Sequence, residues 1–427
     1  MNERIIIRGG RVVDPATGLD GAHEIFIAGG RIAAVDRRPD GFTADREISA
    51  AGRIVCPGFI DLCARLREPG AEHKGTIAGE SAAAAAAGIT TLCCPPDTDP
   101  VLDTPAVANL VQEKGFDTGK LRLLPIGALT RGLKGRDLSE MSALKAAGCL
   151  AVSNASAPMA NTLVLRSALE YAASYDLLVI VRPEDHDLAD RGCVHEGPIA
   201  TRMGLPGIPS AAETVAIAQV IALVEHTGAR VHFSQLSSAR SIRAIIRAQE
   251  RGQAVSADVS ALQLHLTEAD ILGFDAMCHV RPPLRSLADR EALREAVRDG
   301  IVAGICSDHQ PHEPDAKLNA FPSTEPGAAA LQTLLPLTLK LVAEGAMNLS
   351  QAIAALTSGP ADVLGLDSGT LRPGSPADLC IFDPEARWTV GESTWLSAGR
   401  NTPYWGQELE GRVSHSLLAG RVVFEAR

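Results

Sequence analysis

The chain has 427 residues, 46% of them hydrophobic and 21% charged, with a net charge of −11. That balance suits a compact soluble protein with a large core, and an aromatic content of only 4% leaves that core to Ala, Val, Ile and Leu. The acidic excess, with no block of Lys or Arg, argues against a sizeable nucleic-acid face or an anionic membrane surface as partner.

The opening "MNERIIIRGGRVVDP" lacks the basic-then-apolar order of a signal peptide and reads as strand, turn, strand. Two further short runs with glycine turns follow, "HEIFIAGGRIAAV" and "REISAAGRIVCPG". The same texture returns at the other end, in "SGTLRPGSPADLCIFDP" and "RVSHSLLAGRVVFEA". Neither end holds enough strands for a sheet of its own, so residues 1–56 and 368–427 are expected to form one composite β-sandwich.

Residues 57–367 alternate β-branched runs with longer helical ones, the pattern of parallel βα units. Eight runs read as strands: "GFIDLC" from Gly58, "ITTLCC" from Ile89, "LRLLPIG" from Leu121, "CLAVS" from Cys149, "LLVIVR" from Leu177, "ARVHFS" from Ala229, "QAVSAD" from Gln253 and "IVAGICS" from Ile301. Among the helices, "DTPAVANLVQEKG" offers Thr104 as N-cap, Pro105 at the first helical position and Gly115 as stop. Eight such units predict an α/β fold, a (β/α)8 TIM barrel inserted in the sandwich. A doubly wound sheet would leave the split β module unexplained. No apolar run approaches the ~20 residues that span a bilayer. The nine cysteines are scattered without a CxxC pair and read as reduced core thiols of a cytoplasmic protein.

In such a barrel the chemistry sits at the C-terminal strand ends. Those ends carry Cys63 and Arg65, then Pro96 to Thr98, Asn154, Arg182, Gln235 and Asp308. Outside them, vicinal Cys93 and Cys94, His232 and His265 read as packing or satisfied core groups, and "LTRGLKGRD" as a polar loop.

The segment "VCPGFIDLCARLREPG" resembles the opening of dihydroorotases of the amidohydrolase superfamily, which read "PGFIDxHxHLREPG". "CCPPDTDP", "VRPEDHDLA" with "HEG", "VHFSQLSSARS", "VRPPLRS", "SDHQPH" and "WLSAGRNTPYWG" are similar to further family motifs, in order, through nearly the whole chain. The resemblance implies pyrimidine (UMP) biosynthesis, in which two zinc ions activate a water to open or close a cyclic amide. It also implies imidazole and carboxylate ligands at the strand ends. Here those positions hold Cys63, Arg65, Asn154, Arg182 and Gln235, and only Asp308, with His309 and His312 beside it, stands as in the family.

Arginine carries a fixed positive charge, so Arg65 and Arg182 oppose a dication, and either is expected to pair with Asp308. No metal and no cofactor are expected, and Asp308 reads as a vestigial catalytic position. A single odd site from Cys63, Cys306, Asp308 and His309 stays open at this stage. Among vestigial substrate-binding positions, Arg67 matches the family arginine that grips the substrate carboxylate, with a salt bridge to Glu68 or another acid as its plainer use. Asp97 and Arg281 replace family asparagines, and His312 completes the set. The chain also resembles the non-catalytic dihydroorotase-like subunits that accompany some bacterial aspartate carbamoyltransferases. That implies aspartate carbamoyltransferase as partner in a homo- or hetero-oligomer. The alternative is an active zinc-dependent cyclic amidohydrolase with a rebuilt site. The aromatic segment 393–406 is either an exposed contact element or packing between sandwich and barrel.

Overall fold

The structure is a computed structural model and describes residues 3–426. Both chain ends meet in one six-stranded sheet. Its order is Arg421–Glu425, Glu408–Leu418, Leu379–Thr389, Ile54–Pro57, Arg11–Asp14 and Leu19–Ala22. The seam between the two ends is antiparallel, with Cys380 opposite Cys56. A four-stranded sheet of Arg31–Val35, Ile25–Ala28, Ile5–Arg8 and Arg46–Ser49 packs against it. The shared core is aliphatic, including Ile5, Ile7, Ile25, Ile27, Leu379 and Ile381, all under 2% exposed. Runs such as Ile5–Ile7 form strands because β-branched side chains suit a pleated, packed surface.

The chain passes into the barrel through Gly58, where a Cβ would lie 2.3 Å from Thr90 Oγ1. Eight parallel strands follow at the eight predicted runs: Phe59–Asp61, Ile89–Cys94, Arg122–Pro125 with Gly127–Ala128, Ala151–Ser153, Leu178–Val181, Val231–Phe233, Val255–Ser260 and Gly304–Cys306. The third strand is broken at Ile126; its first part pairs with the second strand and its last with the fourth. A parallel bridge between Ala64 and His309 brings the eighth strand beside the first. Ile60, Leu62, Ile126, Leu178, Ile180 and Cys306 fill the lumen, so the barrel is packed rather than open. The nine cysteines are free and buried. Among the described residues no helix is long and apolar enough to cross a membrane.

One helix end differs from expectation. Helix Pro105–Thr118 runs past Gly115 and ends where Gly119 turns left-handed, at φ 60°. Gly115 serves close packing instead, since a Cβ there would sit 2.6 Å from Leu123 Cβ. Thr104 holds the N-cap position with extended backbone, but its side chain makes no capping hydrogen bond. The segment 393–406 takes the packing role: Trp395 and Tyr404 are buried, and the backbone N–H of Ala398 donates to Glu80 of the first barrel helix, Ile77–Ala86. Trp405 keeps an exposed edge, beneath the Arg400 guanidinium.

Candidate functional site at the barrel mouth

The loops after the parallel strands bring Cys63, Arg65, Asp97, Arg182, Gln235 and Asp308 to one mouth. Four residues of its rim take left-handed backbone: Arg67 (φ 67°), Ala155 (φ 49°), Gln235 (φ 59°) and Asp308 (φ 47°). Such conformations cost on the order of 1–3 kcal/mol each in a non-glycine residue and persist where the surroundings over-determine them. Two of the four are held by hydrogen bonds from their own N–H: Gln235 N–H donates to Asp258 Oδ1 (2.7 Å), and Ala155 N–H donates to Ser153 Oγ (3.0 Å).

Arg65 occupies the centre, its side chain 9% exposed. Its Nε donates to Asp97 Oδ2 at 2.7 Å, while Nη1 stands 3.7 Å from Asp308 Oδ1 and 4.0 Å from Cys63 Sγ. Burial raises the Asp97 carboxyl, but the Arg65 charge and hydrogen bond outweigh it and hold Asp97 below the usual range. Asp308 lies above its ordinary value, because burial outweighs the Arg65 and Arg182 charges. It accepts from Gln235 Nε2 (2.8 Å) and Gln310 Nε2 (3.0 Å), and Gln235 Nε2 also reaches Cys63 Sγ (3.0 Å). Burial pushes the Cys63 thiol well above its normal pKa, which keeps it protonated.

The expected pairing with Asp308 is therefore made by Arg65 alone, and loosely. Arg182 has no carboxylate within 4 Å among the described residues; its Nη1 donates to Ser156 Oγ (2.5 Å). Asn154 is absorbed locally, accepting from Thr130 Oγ1 (2.6 Å) and donating to the Ala157 carbonyl (3.0 Å).

His309 points away from Cys63 and Cys306. Its Nδ1 accepts the Ala330 N–H (3.0 Å), so Nε2 carries the proton and donates to Glu80 Oε2 at 3.1 Å, with both side chains fully buried. Cys306 Sγ lies against Asp258 Oδ1 (3.3 Å), and Asp258 Oδ2 binds His232 Nε2 (2.8 Å) beneath the mouth. The four-residue site of Cys63, Cys306, Asp308 and His309 is not assembled. Among the described residues no group of three or more His, Cys, Asp or Glu is arranged to hold a metal ion.

The positions expected on the substrate side have protein partners. Arg67 Nε donates to the Pro311 carbonyl (3.0 Å) and Nη2 reaches His312 Nε2 (3.2 Å). Its expected bridge to Glu68 does not form, because Glu68 accepts the Ile77 N–H at a helix start and binds Lys114. Burial and the neighbouring Arg65 charge lower the Arg67 pKa to about 10. Burial and the Arg67 charge push His312 down to about 4, so it is neutral near pH 7. Asp97 spends its charge on Arg65, and Arg281 grips Glu184 through two hydrogen bonds of 2.8 and 2.7 Å. Sequence reading missed Ser156, Glu80, Glu184 and Gln310 as partners. Glu80 carried a signal, as the one acid in the alanine-rich helix, and Glu184 and Gln310 stand inside "VRPEDHDLA" and "SDHQPH"; Ser156 carried none.

Residues 52–241 match the family described as dihydro-orotase-like, and residues 327–424 match the amidohydrolase family. A "Dihydroorotase-like protein" of Pseudomonas aeruginosa is 49% identical over 421 residues, 99% of each chain. One of the same name from Pseudomonas putida is 48% identical over 98% of each. A "Dihydroorotase" of Anaeromyxobacter dehalogenans is 43% identical, covering 100% of this chain and 99% of its own. Among solved structures, the L-hydantoinase (dihydropyrimidinase) from Arthrobacter aurescens superposes with a TM-score of 0.88 at 23% identity, over 100% of this chain and 96% of its own. At that identity the likeness concerns the fold. The chain belongs to the dihydroorotase-like family of amidohydrolases.

Proposed function

We propose that this member of the family is a non-catalytic homologue that serves as a structural partner of aspartate carbamoyltransferase in pyrimidine biosynthesis. The observation that carries the first half is the donor set at the mouth. A di-zinc centre needs several imidazoles and carboxylates free to ligate. The mouth offers two guanidiniums, an amide, a protonated thiol and two carboxylates, Asp97 bound by Arg65 and Asp308 already serving Gln235, Gln310 and Arg65. These residues do not fit the metal group, and no step of ring opening is routed through them. The second half rests on the sequence resemblance to dihydroorotase-like subunits. Relatives named dihydroorotase at 43% identity favour the alternative, a working amidohydrolase with a rebuilt site.

Two measurements decide. Metal analysis of the purified chain, with a dihydroorotase assay under added zinc, should give less than about one zinc per chain and no turnover above a no-enzyme control. Co-expression with the transcarbamoylase should give one species on size-exclusion chromatography. Separate elution at micromolar concentration, with a transferase fully active alone, would remove the scaffold role.

A further inference from the structure

We propose that the outer face of helices Ala239–Glu250 and Leu287–Arg298 docks a second copy of this chain about a two-fold axis, each copy laying its basic helix on the other's acidic one. The proposal concerns self-association and stands independently of the scaffold reading, which concerns a different chain.

The basic helix carries a row of arginines. Arg240, Arg243, Arg247 and Arg251 follow at steps of three or four residues, so they share one side of it. All four are exposed, and none makes a salt bridge or side-chain hydrogen bond among the described residues. The opposite side, with Ile242, Ile245 and Ala248, is buried against the barrel. In a chain of net charge −11, such a row runs against the general character of the surface.

The neighbouring helix carries the opposite sign at a matching spacing. Glu291, Glu295 and Asp299 recur every fourth residue and are exposed. Arg290 and Arg294 of the same helix turn inward, donating to the carbonyls of His265 and Leu264. Their side chains are 24% and 12% exposed, against 49% for Glu291. Arg298 stays outside and spends its charge on Asp299, while Glu295 has no cationic partner among the described residues.

The two helices follow parallel strands and pack side by side, with their starts level: Ala239 N–H donates to Asp289 Oδ1 at 2.9 Å. A two-fold axis through this face runs the helices of the two copies antiparallel. A face bearing both signs on adjacent helices is then self-complementary, as an isologous contact requires. The register that puts Arg243 opposite Glu295 of the other copy also puts Arg247 opposite its Glu291. It brings Arg240 within one residue of Asp299, a rise of about 1.5 Å. Glu250 falls opposite the first turn of the facing helix, where negative charge is favoured.

The acids decide what the occupant is. A nucleic acid or an anionic membrane would meet the arginines, but the acidic helix about 8–10 Å away would repel it. A second copy satisfies both rows at once. The repulsion between two chains of net charge −11 is largely screened beyond a Debye length of about 8 Å at physiological salt, while facing pairs lie within it. One exposed ion pair contributes little, so the dimer depends on the set and is sensitive to salt.

The test is sedimentation velocity of the full chain at about 50 mM and about 500 mM NaCl. The low-salt assembly should have twice the mass of the one left at high salt, its dissociation constant rising at least about tenfold. Arg243→Glu with Arg247→Glu sets acid against acid, and Glu291→Arg with Glu295→Arg sets base against base. Each double variant should weaken the association at least about tenfold. Mixed together, the two variants are complementary at both contacts and should form a heterodimer. Arg243→Gln with Arg247→Gln, a milder change, should also weaken the association and serves if a reversed chain fails to fold. No association step at about 100 μM chain in low salt, an assembly indifferent to salt or to a folded double variant, two folded variants that fail to pair, or retention on heparin without self-association would each overturn the proposal.

Discussion

Replacing Arg65 with methionine tests whether the guanidinium is the charge that holds the mouth together. Methionine fills similar length without charge, and the change removes the 2.7 Å bond to Asp97 and the 3.7 Å contact with Asp308. Breaking a buried ion pair by deleting one partner costs about 3–5 kcal/mol, since the other charge is left uncompensated. Two facts reduce that figure. The Asp97 side chain is 30% exposed, so water screens it, and Asp308 keeps two amide donors. A loss of about 2–4 kcal/mol is expected. The pH dependence has a definite sign. Asp97, held low by Arg65, contributes stability above its unfolded pKa, and the variant loses that contribution. Asp308 is already raised, and without Arg65 it rises further, which penalises folding as pH increases. The deficit should therefore be larger at about pH 8 than at about pH 5. Urea unfolding of both proteins at the two pH values measures it. A deficit below about 1 kcal/mol, or one that grows toward acid, would refute the reasoning.

Three further outcomes are expected. Cys63→His should restore neither zinc binding nor ring opening, since Arg65 and Arg182 still oppose a cation; zinc-dependent turnover from that single change would favour the alternative function. Glu80→Ala should cost about 2–5 kcal/mol in chemical denaturation, because it strands the His309 Nε2–H and the Ala398 N–H in the interior; a loss under about 0.5 kcal/mol would mean that His309 is free to turn toward the mouth. Burial lowers His265 and His279 to about 4, below the ordinary 6.5, so the unfolded chain binds more protons in that window and stability falls as pH drops through it, by up to roughly 3 kcal/mol per histidine. A melting temperature that stays level across this window would contradict that.

The barrel was legible because each strand is a compact β-branched or aliphatic run, and eight of them recur with helices between. The break at Ile126 was not, since "LRLLPIG" carries no mark of where pairing passes from one neighbour to the other. Gly115 misled for a related reason. Glycine serves helix ends and close packing equally well, and only the position of Leu123 separates the two uses. At the site, the strand-end positions could be read off the sequence, but their partners could not. Arg281 and Glu184 lie 97 residues apart, and nothing local announces that they meet.

The backbone of the mouth and its side chains tell different stories, and that bears on what similarity can establish. Left-handed backbone at Arg67, Ala155, Gln235 and Asp308 is strained geometry of the kind concentrated at functional sites. The hydrogen bonds at Gln235 and Ala155 run to Asp258 and Ser153, groups of the protein itself. Such a frame can persist while the groups it presents change. A buried carboxylate such as Asp308 needs positive charge and donors from the protein, and Arg65, Gln235 and Gln310 supply them. Likeness over the whole chain measures the frame and leaves the activity to a handful of strand-end side chains. Under the reading proposed here, those side chains spend their charges on the protein's own ion pairs, and among the described residues Arg182 is the one guanidinium of the mouth with a buried N–H group unpartnered.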